Sequence, residues 1–86
     1  MRIISQDGRT DLPYDGIALF VNDNVIMAES LNRERIYVIA EYDSEETAMS
    51  VLNELREDVS LVIALKESLG EIRGDLYYAF PKEKTV

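Results

Sequence analysis

Carboxylates are the only abundant side chains in this sequence that can support acid–base or metal chemistry. The 86 residues include 17 Asp and Glu against 9 Lys and Arg, and they include neither histidine nor cysteine. Histidine is the usual general base and metal ligand, and cysteine is the usual thiol nucleophile and zinc ligand. Disulfides, thiolate zinc sites and histidine-dependent triads are therefore excluded from these residues.

The spacing of the carboxylates and glycines matches no reactive motif. Asp7, Asp11 and Asp15 recur every four residues, whereas a calcium loop needs closer oxygen ligands and a terminal bidentate Glu. The glycines stand singly at positions 8, 16, 70 and 74, so there is no phosphate-binding glycine loop. We therefore predict that the protein is not an enzyme, has no catalytic residues and holds neither a metal nor another cofactor.

The charge balance favours a protein partner over nucleic acid or membrane. The formal net charge is −8, which repels nucleic-acid phosphates and anionic lipid surfaces and attracts a basic surface. The longest apolar run, residues 61–65, is far too short to cross a bilayer. The opening residues contain no apolar run of signal-peptide length, so we expect a cytoplasmic location.

A predicted meander of three strands precedes the strongest helix signal. Residues 17–31 read as a hairpin around turn residues 22–24, and residues 35–42 alternate like a third strand. A helix is predicted to begin with a cap at Asp43 and with Glu46 three positions later, as in a capping box. The apolar stripe that follows consists of Ala48, Val51, Leu52 and Leu55.

The last third of the chain leaves one ambiguity. Residues 58–70 fit a helix ended by Gly70, but part of this segment could equally be a buried strand; its polar residues favour the helix. Residues 76–80 are aromatic and typical of a strand, and Pro81 ends it.

The predicted fold class is α+β. It consists of an antiparallel β-meander with one or two helices packed on one face and a final aromatic strand. We predict a single domain over residues 1–81, followed by a frayed tail at residues 82–86.

The exposed side of the predicted helix is the candidate contact surface. Acidic side chains lie on it or beside it, away from the apolar stripe, where a basic partner could reach them. The candidate partner-binding residues are Glu45, Glu46, Glu54, Glu57 and Asp58.

Three segments together show a recognisable pattern. They are Arg-Ile-Ile-Ser-Gln-Asp-Gly at 2–8 followed by Leu-Pro-Tyr-Asp at 12–15, the strand-to-helix segment 40–48, and the aromatic segment that ends at Pro81. They resemble a group of small proteins from phages, prophages and conjugative elements of Gram-positive bacteria, which typically open with K-I-I-S-Q-D-G and P-Y-E. Here Arg2 stands in place of that Lys, and Asp in place of that Glu.

The resemblance implies an origin in a mobile element and a place in the cytoplasm of a host cell. The group is largely of unknown function, so the resemblance assigns no catalytic or binding residue. Small acidic proteins of such elements often antagonise host defence by binding, which makes a host protein with a basic surface the expected partner.

Three functional hypotheses remain open. The first is a stoichiometric inhibitor or adaptor that binds a host defence protein through its acidic surface. The second is an oligomeric binder or sponge for a nucleotide signal, and the third is a structural or regulatory module that forms a homodimer through the aromatic strand 76–80. In the second hypothesis tyrosines stack on the base, and the residues that meet the phosphates are Arg2, Arg9, Arg33 and Arg35.

Overall fold

The described residues form six strands, one short 3₁₀ helix and one long α-helix. The computed structural model describes residues 1–32, 34–70 and 76–82. In chain order the elements are β1 (Arg2–Ile4), β2 (Asp11–Pro13), the 3₁₀ helix (Tyr14–Gly16), β3 (Ile17–Asn22), β4 (Val25–Ser30), β5 (Ile36–Glu41), α1 (Glu45–Leu69) and β6 (Tyr77–Ala79).

The predicted α+β class is confirmed. Strands β3, β4 and β5 form the expected antiparallel meander, one helix follows, and the aromatic segment forms the last strand. Most of the predicted tail, residues 83–86, lies outside the described residues, so the domain boundary stays a prediction.

A two-residue turn and a bulge shape the β3-β4-β5 sheet. Asp23 adopts a positive φ of 53° in the turn between β3 and β4, a conformation that Asp and Asn tolerate better than most residues. Between β4 and β5, Ile26 pairs with Ala40 while Met27 pairs with Val38. Ile39 is therefore the extra residue of a β-bulge, and it and Ala40 are both buried.

The two ends of the described chain meet in a second sheet, of order β2-β1-β6. Strand β1 pairs antiparallel with β2 and parallel with β6, with Ile3 opposite Leu12 on one side and Tyr78 on the other. A parallel neighbour requires a long connection, and here that connection includes the whole meander and α1. Ile3 and Phe80 are both buried in the core.

Helix α1 begins one residue later than predicted. The N-cap is Ser44, not Asp43, and its Oγ accepts from the backbone N–H of Thr47 at 3.1 Å. The Thr47 hydroxyl also lies 2.9 Å from Ser44 Oγ. Thr47 thus occupies the position that Glu has in a capping box, and it bonds to the cap through its hydroxyl instead of a carboxylate. Glu46 remains in the first turn, where the helix dipole favours negative charge.

Only the first half of α1 covers the sheet. Its buried residues end at Leu55 and face Ile26 and Ala28 of β4. A helix of 25 residues is about 37 Å long, whereas a six-residue strand spans about 20 Å. The helix therefore extends past the sheet, and Leu61 and Leu69 are 59% and 72% exposed. Residues 58–69 are helical, as the polar pattern favoured.

Gln6 joins the two sheets and the C-terminal segment. Its backbone N–H donates to Ile39 O at 2.8 Å. Its side-chain Oε1 accepts from Glu41 N at 3.0 Å, and its Nε2 donates to Glu41 O, Pro81 O and Lys82 O at 3.1, 3.2 and 2.9 Å. One amide side chain thus holds β5 and the segment after β6 beside the end of β1.

Candidate functional site

The acidic face of α1 is an open depression, lined by one side of a single helix. Its volume is about 880 Å³. Four of the five predicted contact residues line it together with Ser44, Met49, Ser50 and Asn53; these four are Glu45, Glu46, Glu54 and Glu57. We call this set of eight residues the acidic face.

The spacing of the helix explains why four residues of the acidic face lie in one line, with Glu45 and Glu54 on either side of it. Residues 46, 50, 53 and 57 recur at intervals of three or four, which places them in a line along an α-helix. Val51 and Leu55, on the opposite side, are fully buried against the sheet. Packing of the apolar side therefore fixes the direction in which the acidic face points.

Asp58 lies apart from the acidic face. It does not line the depression. Its negative charge instead acts on Tyr78 of β6: the pKa of the Tyr78 phenol is raised mainly by burial and, to a smaller extent, by Asp58. The structure thus brings four of the predicted residues onto one surface and places the fifth beside the aromatic strand.

Two of the three regularly spaced aspartates near the start of the chain, Asp7 and Asp11, have structural contacts. Asp7 Oδ1 accepts from Ser5 Oγ at 2.6 Å and from Arg9 N at 3.0 Å, and these hydrogen bonds lower the pKa of Asp7. Asp11 forms an ion pair with Arg2 at 2.6 Å. Within the part of the chain that the structure describes, no group of three or more acidic side chains is placed to hold a metal ion.

The arginines of the nucleotide hypothesis are dispersed. Arg2 is paired across the small sheet with Asp11, and Arg35 lies in the connection that leads into β5. Arg9 lines a depression with Gln6, Asp7, Glu41 and Lys82, and this depression includes neither of the other two. Arg33 lies outside the described residues.

The aromatic strand is at an edge, as the dimer hypothesis requires. Strand β6 pairs with β1 on one side, and Tyr77 is exposed. The rings of Tyr78 and Phe80 contact each other edge to face at a centroid distance of 5.1 Å. Phe80, which follows β6, is buried and Tyr78 is half-buried, so Tyr77 is the largely exposed aromatic side chain of this segment.

The sequence interpretation missed an apolar surface on the outer side of the β3-β4-β5 sheet. Phe20, Met27 and Val38 lie side by side across the three strands, on the side away from α1. Val38 and Ile36 are 61% and 58% exposed. The signal was present in β5, where apolar residues occupy both alternating faces although one helix can cover only one of them.

Tyr42 gives a prediction about alkaline stability. Its hydroxyl donates to Pro81 O at 2.7 Å, and burial, with a smaller contribution from Tyr78, raises the pKa of Tyr42 to about 12. The unfolded phenol titrates near 10, so the neutral form stabilises the fold fully below that pH. We expect this stabilisation to be lost as the pH rises from about 10 through 12.

Tyrosinate absorbance and thermal unfolding, both followed against pH, would measure this effect. The Tyr42→Phe variant should lose one late-titrating phenol and show a weaker alkaline fall in stability than the native chain. An unchanged titration curve in Tyr42→Phe would show that this phenol is not the protected one.

No described helix has the length and apolar composition required to span a membrane. The chain matches no protein-family model, no curated protein and no solved structure in comparisons with each of these sets.

Proposed function

We propose that this protein is a non-enzymatic binding protein that docks on a basic surface of another protein through the acidic face of α1. The observation that carries the proposal is that Glu45, Glu46, Glu54 and Glu57 all line one depression along α1. Complementary charge of this kind accelerates encounter and selects among partners.

The shape of the face fits a macromolecule better than a small ligand. The depression is open and follows a single helix, whereas small-molecule sites are concave and bury most of their ligand. Met49 lies among the acidic residues and offers a flexible apolar contact, the kind of side chain that adapts to protein surfaces.

The resemblance to proteins of phages and other mobile elements directs the proposal towards a host target. A defence protein that binds nucleic acid has a basic channel, and carboxylates on a helix can occupy that channel in place of phosphates. The protein would then act as a stoichiometric inhibitor or adaptor in the host cytoplasm.

Neutralisation of matched charges tests the proposal. The test variant carries Glu45→Gln, Glu46→Gln and Glu57→Gln; the control carries Asp15→Asn, Glu34→Gln and Glu67→Gln, which remove the same number of charges from exposed sites elsewhere. Pull-downs from host lysate with each variant, at low and high ionic strength, should show roughly ten-fold weaker partner recovery for the test variant alone.

Thermal unfolding of both variants would verify that folding is retained, since Glu45 and Glu46 also favour the helix dipole. Equal recovery of partners by the two variants would contradict a role for the acidic face. Equal losses in both would indicate that net charge alone, rather than this surface, drives association.

A second candidate function is a homodimeric interaction module. The apolar surface formed by the half-buried Phe20 and Met27 and the exposed Ile36 and Val38 favours it, because contiguous apolar patches of this kind mark association sites. Light scattering with native protein and with Val38→Lys would show a dimer that the substitution dissociates. The separation of the described arginines gives less support to nucleotide binding.

A further inference from the structure

Strand β3 forms an open edge of the large sheet. Among the described residues it pairs with β4 alone. Leu31 N donates to Gly16 O at 3.3 Å, so these two residues form a hydrogen-bonded pair. From there, non-hydrogen-bonded and hydrogen-bonded residue pairs alternate along the two antiparallel strands. The backbone N–H and C=O groups of Ile17, Leu19 and Val21 therefore point away from β4.

The other described strand edges are shorter or partly covered. Strand β5 is covered at its end by Gln6, which bonds to Ile39 O and to both backbone groups of Glu41. Strands β2 and β6 contain three residues each. Strand β3, by contrast, is six residues long and contains no charged residue and no proline, although natural edge strands usually carry such protection.

A cavity of about 180 Å³ lies between this edge strand and the helix. Its walls are Ile17 and Leu19 from β3, Leu52 and Leu55 from α1, and Tyr14, with Arg56 beside them. The inward-facing side chains of β3 are only half-buried, so the edge side of the core is not fully closed. The volume is below the range of about 300–1,000 Å³ for small-molecule sites and suits a single apolar side chain.

Arg56 places a positive charge beside the aliphatic walls of this cavity. Its Nη1 donates to Asn53 Oδ1 at 3.2 Å, and because that partner is a neutral amide, this contact leaves the guanidinium charge uncompensated. In a chain of net charge −8, this cation would favour a ligand that carries a carboxylate next to its apolar side chain.

We infer that the β3 edge and the α1 groove bind an extended segment of a partner protein as an additional strand. The segment's backbone pairs with the outward groups of Ile17, Leu19 and Val21. One of its apolar side chains enters the cavity, and a carboxylate two residues away, on the same face of the extended chain, reaches Arg56. This surface is distinct from the acidic face.

The charges favour a foreign segment over a second copy of this protein. Strand β3 contains no carboxylate, so pairing of two β3 strands about a two-fold axis supplies no acidic group from the strand itself for Arg56. Each copy also has a net charge of −8, which opposes self-association.

The test is selection from a displayed random-peptide library, followed by amide chemical-shift mapping with the selected peptides. We expect enrichment of extended peptides with an apolar residue and an Asp or Glu two positions away, and shifts centred on β3 and on Leu52, Leu55 and Arg56 of α1. N-methylation of the peptide's strand-pairing amides should weaken binding roughly ten-fold or more, because each methyl group removes a hydrogen bond.

Two arginine variants provide the matched comparison. Arg56→Gln should weaken binding of the acidic peptides roughly ten-fold and leave the affinity of their Asn or Gln analogues unchanged, whereas Arg35→Gln, at the opposite edge of the sheet, should change neither. The inference is overturned if no peptide is enriched, if shifts map to the acidic face or the outer sheet face, or if Arg56→Gln has no effect. It is equally overturned by a dimer in light scattering whose β3 amides are protected from exchange, since a second copy then occupies the edge.

Discussion

Leu55→Ala is expected to lower the free energy of unfolding by about 3 kcal/mol. The side chain is fully buried where α1 lies on the sheet, and its removal forfeits apolar burial and leaves a cavity that the rigid helix cannot close. Chemical denaturation of the native and variant proteins, analysed with a common m-value, would measure the difference.

Leu65→Ala is the matched control for this substitution. It is the same change on the same helix, but Leu65 is 43% exposed, on the half of α1 that extends past the sheet. We expect less than about 1 kcal/mol from it. Equal costs at the two positions would mean that both halves of the helix are packed to the same degree, contrary to the structure.

Gln6→Ala is expected to lower the free energy of unfolding by about 2–4 kcal/mol, unusually large for a polar residue near the surface. The estimate follows from about three side-chain hydrogen bonds at about 1 kcal/mol each, because Oε1 accepts one and the two N–H groups of Nε2 are shared among three carbonyl oxygens. Without the amide, Glu41 and the carbonyls of Pro81 and Lys82 lose partners that join the two sheets. Hydrogen exchange should show the largest loss of protection in β1, β6 and the end of β5.

Gln6→Glu separates the donor contacts of this side chain from its shape. Glutamate keeps an acceptor for Glu41 N but sets a carboxylate against the carbonyl oxygens of Glu41, Pro81 and Lys82, which the native Nε2 contacts. We expect it to be at least as destabilising as alanine at neutral pH, with partial recovery where the carboxyl is protonated. Native-like stability of Gln6→Glu at neutral pH would show that the three Nε2 contacts contribute little.

The hairpin, the third strand of the meander and the helix start could be predicted from the sequence. The hairpin around Asp23, the alternating strand before Tyr42 and the helix start near Ser44 each depend on turn, period and cap preferences that act within a few residues. The observed N-cap lies one residue after the predicted one, because Asp43 and Ser44 are both good N-cap residues and only the chain path into α1 selects between them.

The acidic face was predictable in part. Glu46 and Glu57 share one side because helical spacing requires it once the buried stripe is known, whereas Glu45 and Glu54 are nine residues apart and border the depression from either side of that line. The position of Asp58 was not predictable, since it depends on where β6 returns beside the helix. The apolar outer face and the open β3 edge also depend on which strands meet and which do not.

The α+β class, the negative charge and the absence of histidine and thiol chemistry could be predicted from the residues alone, because they depend on composition and on periods of two and 3.6 residues. The pairing of β1 with β6 and the glutamine that joins both sheets could not, since these contacts span 75 or 76 residues of chain. Pairings at such distances follow from the packing of the whole core, which no local pattern encodes. Among the described residues, the same packing covers one half of α1, covers the end of β5 and leaves β3 with β4 as its one strand neighbour.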